Sequence, residues 1–324
     1  MNAETASERR SGQRIVLALG GNAISPAGQG GTAAEQIANI SATMRSVAEL
    51  IVTGGYEVVL THGNGPQVGN LLLKNEIARD EVPPMPLDWC VAQTQATIGY
   101  VTITALEQEL GKRGNYDTVV PVISRIRVAA DDPAWQRPTK PIGPYASAEE
   151  AEALAEDRGH EYREQGDRGW RRVVPSPEPV EILEPMTIAL LLEAGAIVVA
   201  NGGGGIPMVR DEDGILRGAE AVVDKDLAGN LLAQTVDADR FAILTDVRGV
   251  AVGFGTDDER WLEEVTVAEL RELQDAGNFA EGSMGPKVEA VCRFAEQTGR
   301  PAVIAALDDV TGAAEGRSGT RVTP

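Results

Sequence analysis

Short apolar runs that stop at glycine alternate along this chain with longer stretches in which apolar residues recur every three or four positions. Ile15-Val16-Leu17-Ala18-Leu19 reads as a strand buried on both faces, because five consecutive apolar residues leave no side for water. It runs directly into Gly20-Gly21-Asn22. Ile37, Ile40, Met44, Val47 and Ile51 then mark one face of an amphipathic helix that Gly54-Gly55 closes. Val58-Val59-Leu60 forms a second strand and stops at Thr61-His62-Gly63-Asn64-Gly65. Strand, helix and strand in this order imply a right-handed parallel βαβ unit, with each strand delivering a glycine-asparagine loop.

The same alphabet continues downstream. Residues 66–112 read as helical with a break at Pro83-Pro84, and Thr118 to Val128 is apolar enough for one strand. From Ala129 to Arg172 the pattern changes: charges crowd together, and prolines cluster at positions 133, 138, 141 and 144. Trp135 and Trp170 also fall in this stretch. So long an irregular segment inside a compact domain is expected to be an inserted subdomain or flap. Alternation resumes with the strand Ile197-Val198-Val199-Ala200 entering Asn201-Gly202-Gly203-Gly204-Gly205. A helix begins at Asp226 and carries Leu227, Leu231 and Leu232. The strand Phe241 to Leu244 enters Thr245-Asp246-Val247, helices follow at 265–276 and 286–297, and Ala302-Val303-Ile304 is a late strand. The expected architecture is α/β, a mostly parallel open sheet with helices on both faces. Residues 1–13 form a polar, flexible arm ahead of one domain over 14–324.

A net charge of −20 and a pI near 4.5 argue against nucleic acid, so an anionic ligand must find its own cations locally. The two cysteines, Cys90 and Cys292, and the two histidines, His62 and His160, lie in no metal-like spacing, and no protein-held metal is expected. The N-terminal residues lack an apolar signal core, and the most apolar stretch, Ile188 to Ala200, is interrupted by Glu193. A cytoplasmic protein with no membrane partner is the expectation.

Chemistry enters through the loops and the lysines. Ligands of open α/β sheets bind at the carboxyl ends of the strands, and those ends carry Gly20-Gly21-Asn22, Gly63-Asn64-Gly65, Gly202 to Gly205 and Thr245-Asp246. Glycine lets backbone N–H groups approach an anion, so four such loops together suggest an extended anionic ligand. The P-loop pattern is absent, and Gly28-Gln29-Gly30-Gly31 follows no strand, which removes P-loop and dinucleotide-binding readings. Lysine is scarce, five against 24 arginines, yet Lys140, Lys225 and Lys287 sit in segments marked by glycine, proline or aspartate. A lysine ammonium is a compact charge on a flexible stem, suited to a moving phosphoryl group. Phosphoryl transfer needs positioning and charge neutralisation, and an ionised carboxylate-like acceptor needs no general base, so the shortage of histidine costs nothing. Asp226 could hold the lysines in place; Asp224 reads first as a helix cap.

The assembled motifs closely resemble the carbamate kinases of the amino acid kinase family. They are Ala18-Leu19-Gly20-Gly21-Asn22-Ala23, Leu60 to Gly69, Pro138-Thr139-Lys140-Pro141-Ile142-Gly143-Pro144, Arg171 to Pro177, Gly202 to Pro207, Glu220 to Asp226 and Gly282-Ser283-Met284-Gly285-Pro286-Lys287. The resemblance runs from about Arg14 to the C-terminus. It implies a three-layer αβα sandwich with a protruding subdomain near 129–172, a homodimer, and reversible phosphoryl transfer between ATP and carbamate. By the same resemblance Lys140 reaches in from the protruding subdomain, Lys225 and Lys287 contact the transferring phosphoryl, and Asp226 orients the lysines. Gly20, Gly21, Asn22, Gly63, Asn64 and Gly65 hold the acceptor. Nucleotide contacts are expected at Gly203, Gly204, Thr245, Asp246, Val247, Gly282, Ser283 and Met284, with Mg²⁺ bound mainly through the nucleotide phosphates. Ser124-Arg125-Ile126 and Ala96 depart from the family pattern. An added guanidinium at Arg125 could suit an acceptor with a second anionic group, so a related kinase forming another acyl phosphate stays open, as does a nucleotide-binding regulator without turnover.

Overall fold

The structure, a computed structural model, describes residues 12–26, 28–280 and 282–324, with Asn22 described through its backbone only. The arm expected over 1–13 therefore lies, but for Gly12 and Gln13, outside the described residues. An eight-stranded sheet runs in the order Glu264–Thr266, Thr320–Thr323, Ala302–Ala306, Arg240–Thr245, Arg14–Leu19, Glu57–His62, Ile197–Val199 and Val119–Pro121. Its inner strands are parallel; the turn of direction comes at Thr320–Thr323, which pairs antiparallel with Ala302–Ala306. This is the mostly parallel α/β sheet that the apolar runs imply.

Alternation of side chains along each strand feeds two cores. Val16, Ala18, Val59, Phe241 and Ile243 face one way, onto Leu232, Val288 and Phe294 of the helices Lys225–Thr235 and Met284–Thr298. Ile15, Leu17, Leu60 and Ala242 face the other way, onto Met44, Leu50 and Leu106 of the helices Ala33–Gly54 and Leu87–Gly111. Burial on both faces explains why the strands read as continuous apolar runs. The helix Ala33–Gly54 starts in a capping box between Thr32 and Glu35 and stops at Gly55 in the left-handed conformation. The proline break separates the helices Gly65–Ala78 and Leu87–Gly111.

One element differs from the sequence expectation. Thr118 to Val128 is not a single strand: Val119–Pro121 closes the main sheet, while Arg125–Val128 joins a second sheet with Ile206–Arg210, Leu216–Gly218 and Pro179–Ile182. The chain changes sheet at Ser124, whose N–H, hydroxyl and carbonyl are all held. Its N–H donates to Gln95 Oε1 at 2.9 Å, its carbonyl accepts from Gln95 Nε2 at 3.0 Å, and its hydroxyl accepts from Asn201 N–H at 3.0 Å. A buried glutamine from another helix thus sets a corner that local hydrophobicity cannot reveal.

From the 129–172 stretch and on to Val174, a separate antiparallel sheet forms from Lys140–Ala146, Trp170–Val174 and Glu161–Glu164, with the helix Ala148–Arg158 between its strands in sequence. Its first strand lies against the helix Gly65–Ala78. Residues 129–136 stay with the body, where Trp135 packs on the cluster of Ile126, Val128, Val223 and Ala228 and donates its indole N–H to the Ala129 carbonyl at 2.8 Å. Among the described residues no helix is long and apolar enough to cross a membrane.

Candidate active site

Register brings the loops together. Leu19 pairs with both His62 and Leu244, and Leu60 pairs with Val199, so four strands end at one level and release their loops along one edge. The helices Gly65–Ala78, Lys225–Thr235 and Met284–Thr298 start at that edge, which adds three helix N-termini to the glycine N–H groups. Gly63 is required by closeness: a Cβ there would stand 3.0 Å from Gly21 N and 3.0 Å from the Lys225 stem. Gly203 is required twice over, by a φ of +69° and by Asn64 Nδ2, which a Cβ would meet at 2.1 Å. Asn64 is itself fixed by donating to Thr94 Oγ1 at 2.8 Å.

Three lysines and two aspartates meet here. Lys140, from the flap sheet, reaches Asp224 Oδ2 at 2.6 Å. The other oxygen of Asp224 caps the helix Lys225–Thr235, accepting from Asp226 N–H at 2.9 Å and Leu227 N–H at 3.3 Å. Asp224 therefore is the cap its sequence position suggests and also ties the flap to that helix. Burial opposes its charge, but Lys140, joined by Lys225 and the Asp226 N–H, outweighs it, and its carboxyl is held down at about 2. Asp226, only 2% exposed, stands between the other two lysines, with Oδ1 at 2.5 Å from Lys225 Nζ and Oδ2 at 3.3 Å from Lys287 Nζ. Lys287 also donates to the Ser283 carbonyl at 3.1 Å. Burial first, then the neighbouring Lys225 charge, lower the Lys287 pKa against the pull of Asp226.

Two adjoining clefts share Gly21, Lys225, Gly282, Ser283 and Lys287. One, of about 690 Å³, lies under the flap and is lined by Gly63, Asn64, Gly65, Lys140, Asp224 and Asp226. The other, of about 740 Å³, is lined by Gly20, Thr245, Asp246, Val247, Phe254 and Met284. The lysine cluster stands at their junction, where a group passing from one ligand to the other would be neutralised. Two of the residues expected to contact nucleotide do not line the cleft of Thr245, Asp246 and Val247. Gly203 lines the cleft under the flap, and Gly204 is buried against the Val223 carbonyl and lines neither. The Asn22 side chain lies outside the described residues.

His62 lines neither of these two clefts. Burial lowers its pKa to about 4, only partly offset by its bond to the Gly63 carbonyl, so the neutral ring donates through Nδ1 at 3.0 Å. Arg125 takes no part in either cleft, because its Nε and N–H bind Glu184 at 2.6 and 2.7 Å on the surface. Sequence reasoning missed Arg168, Arg171 and Tyr145 of the flap, which line the first cleft, and Asn278, Phe279 and Ala280 in the second. Arg171 lay in a quoted motif, but nothing local said which way it faces. The donor set fits a Mg²⁺ that arrives on nucleotide phosphates and not one in a protein cage. Both oxygens of Asp226 face lysines, Asp224 is shared between a helix cap and Lys140, and no group of three metal-ligating side chains occurs among the described residues.

The profile of the amino acid kinase family matches residues 13–306. The carbamate kinase of Pyrococcus furiosus is 50% identical over 315 residues, covering 97% of this chain and 100% of that protein. Carbamate kinase 1 of Enterococcus faecium is 46% identical over 303 residues, covering 92% of this chain and 95% of that protein. Among solved structures, carbamate kinase from Giardia lamblia bound to AMP-PNP superposes with a TM-score of 0.90 at 39% identity, covering 97% of this chain and 99% of that one.

Proposed function

Since this chain belongs to the amino acid kinase family and is a carbamate kinase by its full-length relatives, we infer that its two joined clefts divide the substrates of phosphoryl transfer between ATP and carbamate. Carbamate or carbamoyl phosphate occupies the cleft under the flap, and the nucleotide occupies the cleft beside Thr245, Asp246 and Val247. The observation that carries this division is the lysine cluster at their junction. In the direction of ATP synthesis, a β-phosphate oxygen of ADP forms the new bond to phosphorus while the bond to the carbamate oxygen breaks. Carbamate departs already ionised, so no residue has to supply or remove a proton. Lys225 and Lys287 neutralise the oxygens of the passing group, and Asp226 keeps both stems aimed. When bound, Mg²⁺ would add charge neutralisation on the phosphates, held by the phosphate oxygens themselves.

Placement of Arg125 favours carbamate over an acceptor with a second anionic group, because its charge is spent on Glu184 outside the clefts. The purified protein with Mg²⁺ is expected to make ATP from ADP and carbamoyl phosphate in a coupled assay, and to ignore acetyl phosphate. No ATP above a protein-free control at saturating substrates would sink the reading, and preference for another acyl phosphate would replace it. We take the enzyme to be a cytoplasmic homodimer, checked by sedimentation equilibrium. The edge strand Val119–Pro121, with exposed Trp89, Tyr100 and Ile123, offers a face that a second copy could cover.

The sheet of Lys140–Ala146, Trp170–Val174 and Glu161–Glu164 acts as the flap. Lys140 ties it to Asp224, and lids of this kind move on microsecond to millisecond timescales. Nucleotide with carbamoyl phosphate should slow amide exchange across 138–174 and change the fluorescence of Trp170. Trp135, packed on the body, is expected to respond less. Lys140→Ala should bind nucleotide normally and lose activity; full activity together with unchanged exchange would reduce the flap to a structural insertion.

A further inference from the structure

The flap brings two arginines to the first cleft that the phosphoryl-transfer network leaves unused. Arg168 and Arg171 each place the guanidinium carbon 5.2 Å from the centroid of the Tyr145 ring, so one aromatic ring orders both cations. Arg171 donates through Nε to the Gly143 carbonyl at 3.0 Å. Among the described residues neither guanidinium is paired with a carboxylate. Elsewhere in the chain Arg125, Arg172, Arg271 and Arg293 are engaged by glutamates. Burial lowers the Arg171 pKa from the ordinary guanidinium value, with only Tyr145 acting the other way, the mark of a partly desolvated cation short of an anion.

Position adds direction to this charge. Arg168 is exposed and Arg171 half-buried, and both line the cleft that ends at Lys140, Lys225 and Lys287. Among the described residues five cations thus line the cleft against two carboxylates, Asp224 and Asp226, which are already engaged by lysines. A chain of net charge −20 repels an approaching phosphate at long range, and screening over about 8 Å at physiological salt confines attraction to such a patch. The planar fork of arginine matches phosphate oxygens two at a time, which a lysine cannot do.

We propose that Arg168 and Arg171, ordered on Tyr145, form an anion-capture site at the mouth of the acceptor cleft, which takes the phosphate of carbamoyl phosphate before it reaches Lys225 and Lys287. The site rests on the substrate division given above. It predicts that these arginines govern encounter with the acyl phosphate and leave nucleotide binding untouched.

Initial rates of ATP formation test it in the double variant Arg168→Gln/Arg171→Gln. KM for carbamoyl phosphate should rise roughly ten- to hundredfold, the range for losing hydrogen bonds to a charged group, while kcat falls less than about threefold. KM for ADP should stay the same, and kcat/KM for carbamoyl phosphate should lose most of its dependence on salt. Arg168→Lys/Arg171→Lys should recover part of the loss, since charge returns without the fork. A KM for carbamoyl phosphate within twofold of wild type would overturn the site, and so would a rise in KM for ADP alone, which would assign the arginines to the nucleotide. Should the double variant melt below the assay temperature, Arg168→Gln alone, at an exposed position, must still raise that KM several-fold. Calorimetry with inorganic phosphate reads the site without turnover. Phosphate binding that needs both arginines, in a protein that makes no ATP, would keep the capture site and sink the carbamate kinase reading instead.

Discussion

Lys225→Ala and Lys287→Ala are each expected to lower kcat by on the order of 10²-fold or more, the usual cost of removing one preorganised electrostatic stabiliser. Both ammonium groups converge on Asp226 at the junction of the two clefts, where the proposed division of substrates has the phosphoryl group cross. Charge on its oxygens and on the leaving carbamate changes as the bond breaks, so the loss should appear mainly in kcat and less in KM. Neither residue fills a core: Lys225 and Lys287 side chains keep 20% and 14% exposure, so the fold should survive, as circular dichroism would report. A folded variant with wild-type kcat would remove that lysine from the mechanism.

Asp226→Asn is expected to cost at least as much activity and some stability besides. Asparagine keeps the shape but leaves two ammonium groups facing each other without a carboxylate between them. Breaking a buried pair by removing one partner typically costs several kcal/mol; about 3 kcal/mol is expected here, because the lysines retain some solvent. The alkaline side of the pH profile gives a second reading. The role proposed for Lys287 requires it charged, and its pKa already lies below the ordinary lysine value, through burial and then the Lys225 charge. Hence kcat/KM, which reports the free enzyme, should fall with rising pH earlier than an ordinary lysine would dictate. Asp226 is what pulls that pKa upward, so its neutralisation should move the fall to still lower pH. An unmoved alkaline limb with kcat within threefold of wild type would show that Asp226 does not hold the lysines.

Much of this enzyme was legible in its sequence because the informative features are local. A strand buried on both faces has to be a run such as Ile15 to Leu19, and a loop whose backbone comes this close to its neighbours has to carry glycine, as Gly63 does beside Gly21 and Lys225. Lys140, Lys225 and Lys287 stood out because arginine carries most of the positive charge, and the motifs around them pointed to the family. Asp224 as a helix cap was equally local.

Other properties depended on residues far apart in the chain. The corner at Ser124 exists because Gln95, on a different helix, binds its N–H and carbonyl. Arg125, which looked like a possible ligand for the acceptor, was withdrawn from the clefts by Glu184, fifty-nine positions later. The second task of Asp224, holding Lys140 across 84 positions, and the turn of Arg168 and Arg171 toward the cleft on Tyr145 have no signature in spacing. Backbone conformation and burial pattern follow from neighbours within a few residues, so the sequence by itself determined the central strands of the main sheet, the glycine loops at their ends and which lysines stand apart. Which charge meets which depends on sheet register and on how the flap packs against the helix Gly65–Ala78, and that was decided only by the tertiary structure, since Coulomb and hydrogen-bond energies act through space without regard to distance along the chain.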